Sequence, residues 1–282
     1  MNSNLLSVSI VIYLPNIEIL KICFSSLINS LNIIIKTYYL DKIQIDIIDN
    51  SDIFINNYKL EITEFINSIR VHKNIDFNFK SFPNNPGYGT SHNHSFLNSS
   101  SKYHLVLNPD VVLKEDSILK LIEYMESNPT TDIVTPKIFD WVGVNTLTTN
   151  QQFLIKRYPS VLQLFLRGFA PQFLKDMFSK ILSSYECKEL DFSITQTHLN
   201  IVSGCFMFCK TESLKRAGGF DENFFLYFED FDLSLRIERK DYFPEAIIYH
   251  KGGNTSKKGW LHRKLFIKSA FQFYQKNGWK WI

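Results

Sequence analysis

The feature that most constrains the fold of this 282-residue chain is a series of short runs rich in Val, Ile, Leu and Phe. Four such runs stand in the first half of the chain, at residues 8–13, 43–48, 75–82 and 103–107. Their length and β-branched content predict β-strands. After the first run, Asn16 is a suitable N-cap for an amphipathic helix. The apolar stripe of that helix comprises Leu20, Phe24, Leu27 and Leu31.

The pattern continues along the chain with less regularity. Asp116 can cap a helix that ends at Asn128-Pro129, and residues 132–139 read as a further strand. Residues 141–200 show no clear alternation of strand and helix. The later elements predicted are strands at 201–208 and 246–249, a short helix at 211–217, and a C-terminal helix carrying Leu265, Phe266, Ala270 and Phe273. Strands that alternate with helices predict an α/β fold with an open, mostly parallel sheet flanked by helices.

We therefore expect one continuous domain over residues 1–250, with halves at 1–140 and 141–250. A basic, amphipathic helical segment is expected to follow at 251–282.

Composition excludes several classes of protein. Lys and Arg exceed Asp and Glu by only three, which argues against a nucleic-acid-binding protein. A hydrophobic share of 45% argues against disorder. Four scattered cysteines, Cys23, Cys187, Cys205 and Cys209, form neither a disulfide scaffold nor a C-x-x-C zinc motif. We find no run of about 18 apolar residues and no signal-peptide pattern, so we expect a cytoplasmic protein.

Polar clusters follow three of the predicted strands, at residues 49–52, 84–87 and 108–110. Each cluster alone is typical of a plain turn. In open α/β sheets, however, ligands bind where strands end at their carboxyl side, and three clusters along one edge favour a binding groove. Asp49 is suited to accept the imide N–H of a pyrimidine base. The side chains suited to ribose or phosphate, around glycines that admit close backbone approach, are Asn84, Asn85 and Asn93 with Gly87 and Gly89.

Three carboxylates, Glu229, Asp230 and Asp232, lie among five aromatic residues. Desolvation raises a carboxylate's pKa and makes it a better base. On a helix, Asp232 pairs with Arg236 four residues later, which is a structural role, whereas Asp230 is the better candidate for a base. The alternative is that all three acids complement the dipole at a helix N-terminus.

Asp110 and His250 both stand at predicted strand ends and together suit a hard cation such as Mg²⁺ or Mn²⁺. The alternatives are an ordinary turn aspartate and an ordinary core or surface histidine. Residues 157–185 combine apolar side chains with Arg167, Lys175 and Lys180, which suits either an anionic membrane or the domain's own core. The C-terminal basic segment has the same two readings; its residues are Lys257, Lys258, Arg263, Lys264 and Lys268, near Trp260, Trp279 and Trp281.

Taken together, five stretches resemble the inverting family 2 glycosyltransferases of GT-A fold, and most closely their bacterial rhamnosyltransferase-like branch. The stretches are VSIVIY with IIDNSD, NNPGYGTSHN, LVLNPDVVL, KRYPS, and GCFMF followed by GGFDENFFLYFEDFDLSLR and IIYH. The last of these is long and specific, whereas IIDNS and NPD are short, and their order and spacing add to the likeness.

The resemblance implies a nucleotide-sugar donor, dTDP- or UDP-linked, and a divalent cation. It implies a glycan acceptor on a polyprenyl diphosphate, an O-antigen or capsule product, and work at the cytoplasmic face of the inner membrane. Asp230 would be the general base, Glu229 would position the acceptor, and Asp110 and His250 would hold the metal. The donor side would comprise Tyr13, Asp49, Asn50, Asn85, Gly87, Tyr88, Gly89, Asn93, Asn108 and Gly204.

One departure weakens the metal site, because Asn108 replaces the first acid of the D-x-D element and brings no charge. Two rival functions are a nucleotidyltransferase and a non-catalytic sugar-nucleotide or glycan-binding protein. The first would need a phosphate-gripping basic loop near the first strand, where Tyr13-Leu-Pro-Asn16 has no basic residue. The second predicts binding without turnover.

Overall fold

A computed structural model describes residues 4–51, 58–69, 71–142, 147–252 and 259–282. Asp52, Lys257 and Lys258, singled out above, lie outside the described residues. The strands are β1 (Leu6–Ile12), β2 (Ile43–Asp49), β3 (Ile75–Ser81), β4 (Tyr103–Leu107), β5 (Val111–Leu113), β6 (Ile133–Trp141), β7 (Leu147–Gln151), β8 (Phe206–Lys210) and β9 (Lys240–His250). They form one sheet in the order β3-β2-β1-β4-β8-β6-β9-β5, with β7 paired to β6.

The N-terminal half of the sheet, β3-β2-β1-β4, is entirely parallel. The other half is mixed, because β8 runs antiparallel to both β4 and β6, whereas β9 lies parallel to β6. β1 and β4 are buried along their whole length, as strands of a parallel sheet covered on both faces are. The α/β class is therefore confirmed, with the parallel pairing concentrated in the first half of the chain.

Helices cover the sheet and complete the domain. They are α1 (Ile17–Tyr38), α2 (Tyr58–Ser68), α3 (Tyr88–Phe96), α4 (Ser117–Ser127), α5 (Val161–Phe169), α6 (Gln172–Met177), α7 (Ser179–Tyr185), α8 (Thr211–Arg216), α9 (Glu229–Arg236) and α10 (Trp260–Asn277). Asn16 caps α1 as predicted, since its side chain accepts a hydrogen bond from Ile19 N at 3.2 Å. Asp116 does not cap α4; its carboxylate pairs with Lys120 at 2.7 Å instead.

α1 is long and apolar enough, by length and composition alone, to cross a membrane, contrary to the expectation that no segment is. Half of its most apolar window is buried inside the domain, and the predicted stripe from Leu20 to Leu31 faces the core. Such burial is what a core helix of a globular domain shows, so α1 by itself is weak support for a membrane span.

The strand predicted at 201–208 is wrong in its first half. Only Ile201 pairs there, in an isolated bridge to Lys156, and β8 begins at Phe206. The intervening backbone bonds to side chains of α9: Val202 N donates to Ser234 Oγ and Gly204 N donates to Asp230 Oδ2. These bonds draw the segment away from the sheet and bring it against α9.

α10 packs against the domain as well. Phe273 and Tyr274 are buried in a cluster with Phe224 and Phe228, and Ser269 Oγ donates to Leu226 O at 2.7 Å. The separation of 251–282 from the catalytic domain stays a prediction, and the packing favours the reading in which its apolar face meets the domain's own core.

Candidate active site

A cavity of about 730 Å³ opens beside the start of α9 and the end of β9. Glu229, Asp230 and His250 line it, together with Lys156 and Arg167 from the middle of the chain. Its walls also carry aromatic side chains, which are Phe169, Tyr185, Tyr227, Phe228, Phe231 and Phe266. A cavity with apolar walls and a few convergent charged groups is the usual form of a small-molecule or sugar site.

The Asp230 carboxylate is fixed by two backbone donors. Gly204 N donates to Oδ2 at 2.8 Å and Phe231 N donates to Oδ1 at 2.9 Å. Burial raises the pKa of Asp230, although these hydrogen bonds oppose the rise. The aspartate thus faces the cavity in one orientation with a proton affinity above that of a free aspartate, which suits a general base.

The chain enters α9 through strained backbone. Tyr227 and Phe228 adopt φ angles of 70° and 66°, both in the left-handed region that non-glycine residues rarely occupy. Consecutive strained residues immediately before functional side chains are common at active sites, where the surrounding structure maintains them. This feature has no signature in the sequence.

Glu229 lies deeper than Asp230 and is 6% exposed. Its Oε2 atom is buried and makes no hydrogen bond to the part of the chain that is described. Burial raises the pKa of Glu229 well above its usual range, and the adjacent Asp230 charge adds to the rise. Glu229 therefore holds its proton more strongly, which leaves the negative charge of the pair on Asp230.

Asp110 and His250 meet at the neighbouring edge of the cavity. His250 Nε2 is 3.5 Å from Asp110 Oδ1, and Lys251 N donates to the Asp110 carbonyl oxygen. His250 Nδ1 contacts Gln152 Oε1 at 3.0 Å, and this contact orients the ring with Nε2 toward the aspartate. Two donors at this separation fit one cation with bonds of about 2.1 Å. No third His, Cys, Asp or Glu joins them among the described residues.

Asp110 and the Glu229–Asp230 pair act on the same two side chains, Tyr88 and Cys205. Burial raises the pKa of Tyr88, and the charges of Glu229, Asp230 and Asp110 all raise it further. Burial likewise raises the pKa of Cys205 to about 12, with Asp110 and Asp230 contributing. The Tyr88 hydroxyl contacts the Gly204 carbonyl oxygen at 2.8 Å and Asn108 Oδ1 at 2.9 Å. Tyr88 and Gly204 therefore link the Asp110 side of the site to the Asp230 side.

The residues predicted to face a nucleotide form a hydrogen-bonded edge. Asp49 Oδ1 accepts from Ser51 N at 2.8 Å, and Asn50 Oδ1 accepts from Ser91 Oγ at 2.9 Å. Ser91 Oγ also bonds to the Gly87 carbonyl oxygen, so the end of β2 is tied to the turn before α3. These bonds fix the 49–51 turn against the glycine turn.

The glycine turn itself is tightly constrained. Asn85 Oδ1 accepts from Gly87 N, and Gly87 has φ of 101°. A Cβ at Gly87 would stand 2.5 Å from the Phe225 carbonyl oxygen, so only glycine fits there. Tyr13, at the end of β1, is 59% exposed at the same edge.

Two predicted donor residues, Asn93 and Gly89, make contacts inside the protein. Asn93 is 3% exposed, and its amide both donates to and accepts from the Phe220 backbone at 2.8 Å. Gly89 packs against the Phe220 side chain, where a Cβ on residue 89 would stand 2.7 Å from Phe220 Cβ. Both residues therefore attach α3 to the 218–224 turn, and their contact with a donor stays a prediction.

The Asp232–Arg236 pair is structural, as proposed. Arg236 Nε donates to Asp232 Oδ2 at 2.9 Å, and the guanidinium also donates to the Ala217 and Gly219 carbonyl oxygens. Lys276 of α10 contacts the same carboxylate at 2.8 Å. This fully buried aspartate therefore joins α9, α10 and the 217–219 turn.

The sequence does not place Lys156 and Arg167 at this cavity, because residues 141–200 show no clear periodicity and the segment that contains Arg167 suits either an anionic membrane or the domain's own core. Both contact the Tyr185 ring, with Lys156 Nζ 5.6 Å and Arg167 Cζ 5.7 Å from its centroid. The KRYPS stretch, which begins at Lys156, was the available signal for one of them.

Comparison with known proteins places these features in context. Residues 7–216 match the family model described as Glycosyl transferase family 2. Rhamnosyltransferase WbbL of Escherichia coli (strain K12) is 26% identical over 210 residues, which cover 69% of this chain and 70% of the relative. The N-acetylglucosaminyl-diphospho-decaprenol L-rhamnosyltransferase of Mycobacterium tuberculosis (strain CDC 1551 / Oshkosh) is 25% identical over 184 residues, covering 62% of this chain and 56% of that protein.

Two solved structures share the fold at lower identity. S. aureus TarS 1–349 superposes with a TM-score of 0.51 at 13% identity, covering 97% of this chain and 73% of that one. GalNAc-T7 with UDP, GalNAc and Mn²⁺ superposes with a TM-score of 0.57 at 16% identity, covering 88% of this chain and 44% of that one. At these identities the likeness concerns the architecture alone.

Proposed function

Because this chain belongs to glycosyltransferase family 2 and has the GT-A architecture, we propose that it is an inverting enzyme acting on a nucleotide-sugar donor and a lipid-linked glycan acceptor. The observation that carries the proposal is the Asp230 carboxylate. Two backbone N–H groups hold it at the wall of the same cavity that His250 lines, and Asp110 lies against that histidine.

In the proposed reaction, Asp230 removes the proton from an acceptor hydroxyl as its oxygen attacks the anomeric carbon of the donor sugar. The new C–O bond forms on the face opposite the departing nucleoside diphosphate, which leaves with the electron pair of the broken bond. A positioned base is worth about 10²–10⁴-fold in rate. Burial and the adjacent Asp230 charge raise the pKa of Glu229, so Asp230 is the charged member of the pair. Glu229 borders the acceptor.

Asp110 and His250 are the residues that would hold a divalent cation, Mg²⁺ or Mn²⁺. Such a cation offsets the charge that develops on the leaving diphosphate. Their donor set fits a hard ion, since it pairs a carboxylate with a histidine whose second ring nitrogen is already engaged by Gln152. Asn108 adds no charge, and its Oδ1 atom already accepts from Tyr88.

The finer assignments rest on the relatives. We propose a dTDP- or UDP-linked donor, with rhamnose as the first sugar to test, because two of the relatives are named rhamnosyltransferases. The mycobacterial relative's name contains a diphospho-decaprenol acceptor, which supports a polyprenyl diphosphate carrier in O-antigen or capsule synthesis.

We place the enzyme in the cytoplasm, peripheral to the inner membrane. Large apolar side chains stand exposed on α5, α6 and the C-terminal tail, and they suit contact with a lipid surface. They are Phe165, Phe169, Phe173, Met177, Trp279 and Trp281.

A thermal-shift screen of nucleotide sugars, each with and without Mn²⁺, tests the donor class. We expect one dTDP- or UDP-sugar to raise the melting temperature, and to do so more strongly with Mn²⁺. Slow release of nucleoside diphosphate from that donor supports an enzyme. Binding without any release under acceptor-loaded conditions would support a non-catalytic binding protein, and release of pyrophosphate from a nucleoside triphosphate would support a nucleotidyltransferase.

A further inference from the structure

Four basic residues line the cavity beside the proposed base, Lys156, Arg167, Lys251 and Arg263. Two of them, Lys156 and Arg167, stand together at the ring of Tyr185, and the reaction above gives neither a role. Lys156 is buried, whereas the Arg167 side chain is 47% exposed. Lys156 Nζ donates to the Phe153 carbonyl oxygen, and both cations stand beside the ring of Tyr185, which is 1% exposed. We refer to these two side chains as the Lys156–Arg167 pair.

Positive charge is in excess at this pair. Glu186 Oε1 lies 3.4 Å from Lys156 Nζ and 3.7 Å from Arg167 Nη2, and Lys188 shares the same carboxylate at 2.8 Å. One carboxylate therefore serves three cations. Burial, together with the nearby Arg167 charge, lowers the pKa of Lys156 to about 8. An anion bound at the pair would relieve this repulsion.

The pair is also close to the proposed base. Burial raises the pKa of Tyr185, the Asp230 carboxylate raises it further, and Arg167 lowers it. The Tyr185 hydroxyl therefore lies within electrostatic reach of both the base and the guanidinium. An acceptor whose hydroxyl meets Asp230 would extend its far end toward the pair.

Arg167 lies on α5 together with two exposed aromatic residues. Phe165 and Phe169 are 52% and 44% exposed, their ring centroids are 6.3 Å apart, and Phe169 lines the cavity. Two cations beside exposed aromatic side chains suit a molecule that carries both a charged diphosphate and a hydrocarbon chain. A guanidinium is well suited to this task because it binds phosphate oxygens with two parallel hydrogen bonds.

We propose that the Lys156–Arg167 pair binds the diphosphate that joins the acceptor sugar to its prenyl chain. The inference rests on the proposed function, since it names the acceptor group that this cavity would recognise. The pair belongs to the acceptor-side half of the chain, whereas the donor's diphosphate is assigned to the Asp110–His250 edge. The two diphosphates can therefore be tested separately.

Calorimetry on the full chain measures the binding of farnesyl diphosphate. A second arm measures the binding of UDP and dTDP in the presence of Mn²⁺. The variants are Arg167→Gln, Arg167→Lys and, as a matched control, Lys180→Gln. Lys180 is exposed on α7 and does not line the cavity, so its variant loses the same charge without touching the pair. Melting temperatures verify that each variant is folded.

We expect Arg167→Gln to weaken farnesyl diphosphate binding by about 10- to 100-fold, the loss of a charge-assisted pair of hydrogen bonds. Arg167→Lys should keep part of the affinity, and Lys180→Gln should bind as the wild type does. Nucleotide binding should stay within twofold throughout.

Three results would overturn the inference: no farnesyl diphosphate binding by the wild type, equal binding by Arg167→Gln, or an equal loss of nucleotide affinity. Because binding is read without turnover, a wild type that depends on Arg167 for binding yet transfers no sugar would count against the proposed function alone.

Discussion

Gly204 offers the sharpest test of how closely Asp230 must be placed. A Cβ at this position would lie 3.1 Å from Asp230 Cβ and 3.4 Å from Oδ2, whereas carbon atoms in contact stand about 3.5–4.0 Å apart. The φ of Gly204 is outside the left-handed region, so alanine is compatible with the backbone. Relief of the overlap requires Asp230 to move by about half an ångström.

A shift of that size matters because productive catalytic geometry tolerates only about 0.5 Å, and a 1 Å displacement costs up to about 10²-fold in rate. We predict that Gly204→Ala lowers kcat for sugar transfer by about 10-fold, with donor affinity unchanged and stability reduced by no more than about 2 kcal/mol. Steady-state kinetics, donor calorimetry and urea unfolding measure the three quantities.

Gly168→Ala is the matched control. Gly168 lines the same cavity within α5, but a Cβ there would meet nothing within 4 Å. Alanine inside a helix is favoured over glycine by about 1 kcal/mol, so this variant should be active and slightly more stable. Equal activity of the two variants would refute the claim that the position of Asp230 limits turnover.

Three further predictions concern stability and metal binding. Burial lowers the pKa of His104 to about 3, so the free energy of unfolding falls as pH drops below the unfolded-state pKa of about 6.5. His104→Gln should remove about 2 kcal/mol of the loss between pH 6.5 and 5, measured by urea unfolding. An unchanged dependence of stability on pH would contradict this. Asp110→Asn should abolish the Mn²⁺-dependent part of donor affinity, and equal affinities in wild type and variant with and without chelator would argue against the metal site. Asp232→Asn should cost about 2–3 kcal/mol, because Arg236 and Lys276 lose a fully buried partner, and an unchanged unfolding midpoint would refute that role.

Much of the parallel half of the sheet could be predicted from the sequence. β1, β2 and β4 are short runs rich in Val, Ile and Leu that are almost fully buried, β3 alternates apolar and polar residues, and Asn16 gives the first helix a clear start. The strands of the second half of the chain are harder to predict, because they pair with strands far away in the sequence. β9 begins at Lys240, six residues before the apolar run that marks it, because pairing with β6 extends the strand through Lys240, Asp241 and other polar residues.

The candidate site was predictable only as a set of residue types. Asp230, Asp110 and His250 follow from strand ends and an acidic cluster, but Asp110 meets His250 because β5 pairs with β9, and Asp230 is held by the Gly204 N–H. No local pattern encodes that bond. The hydrogen bonds of the Asn93 amide to the Phe220 backbone, 127 positions away, could not be predicted from the local sequence either.

The central claim is that Asp230 takes the proton from the acceptor hydroxyl, and Asp230→Asn tests it most directly. Asparagine keeps the size of the side chain and an oxygen for the Gly204 N–H, but it removes the base. The account predicts transfer slowed by about 10²–10⁴-fold with donor affinity, measured by calorimetry, within twofold of the wild type. Transfer by this variant at near the wild-type rate would contradict it.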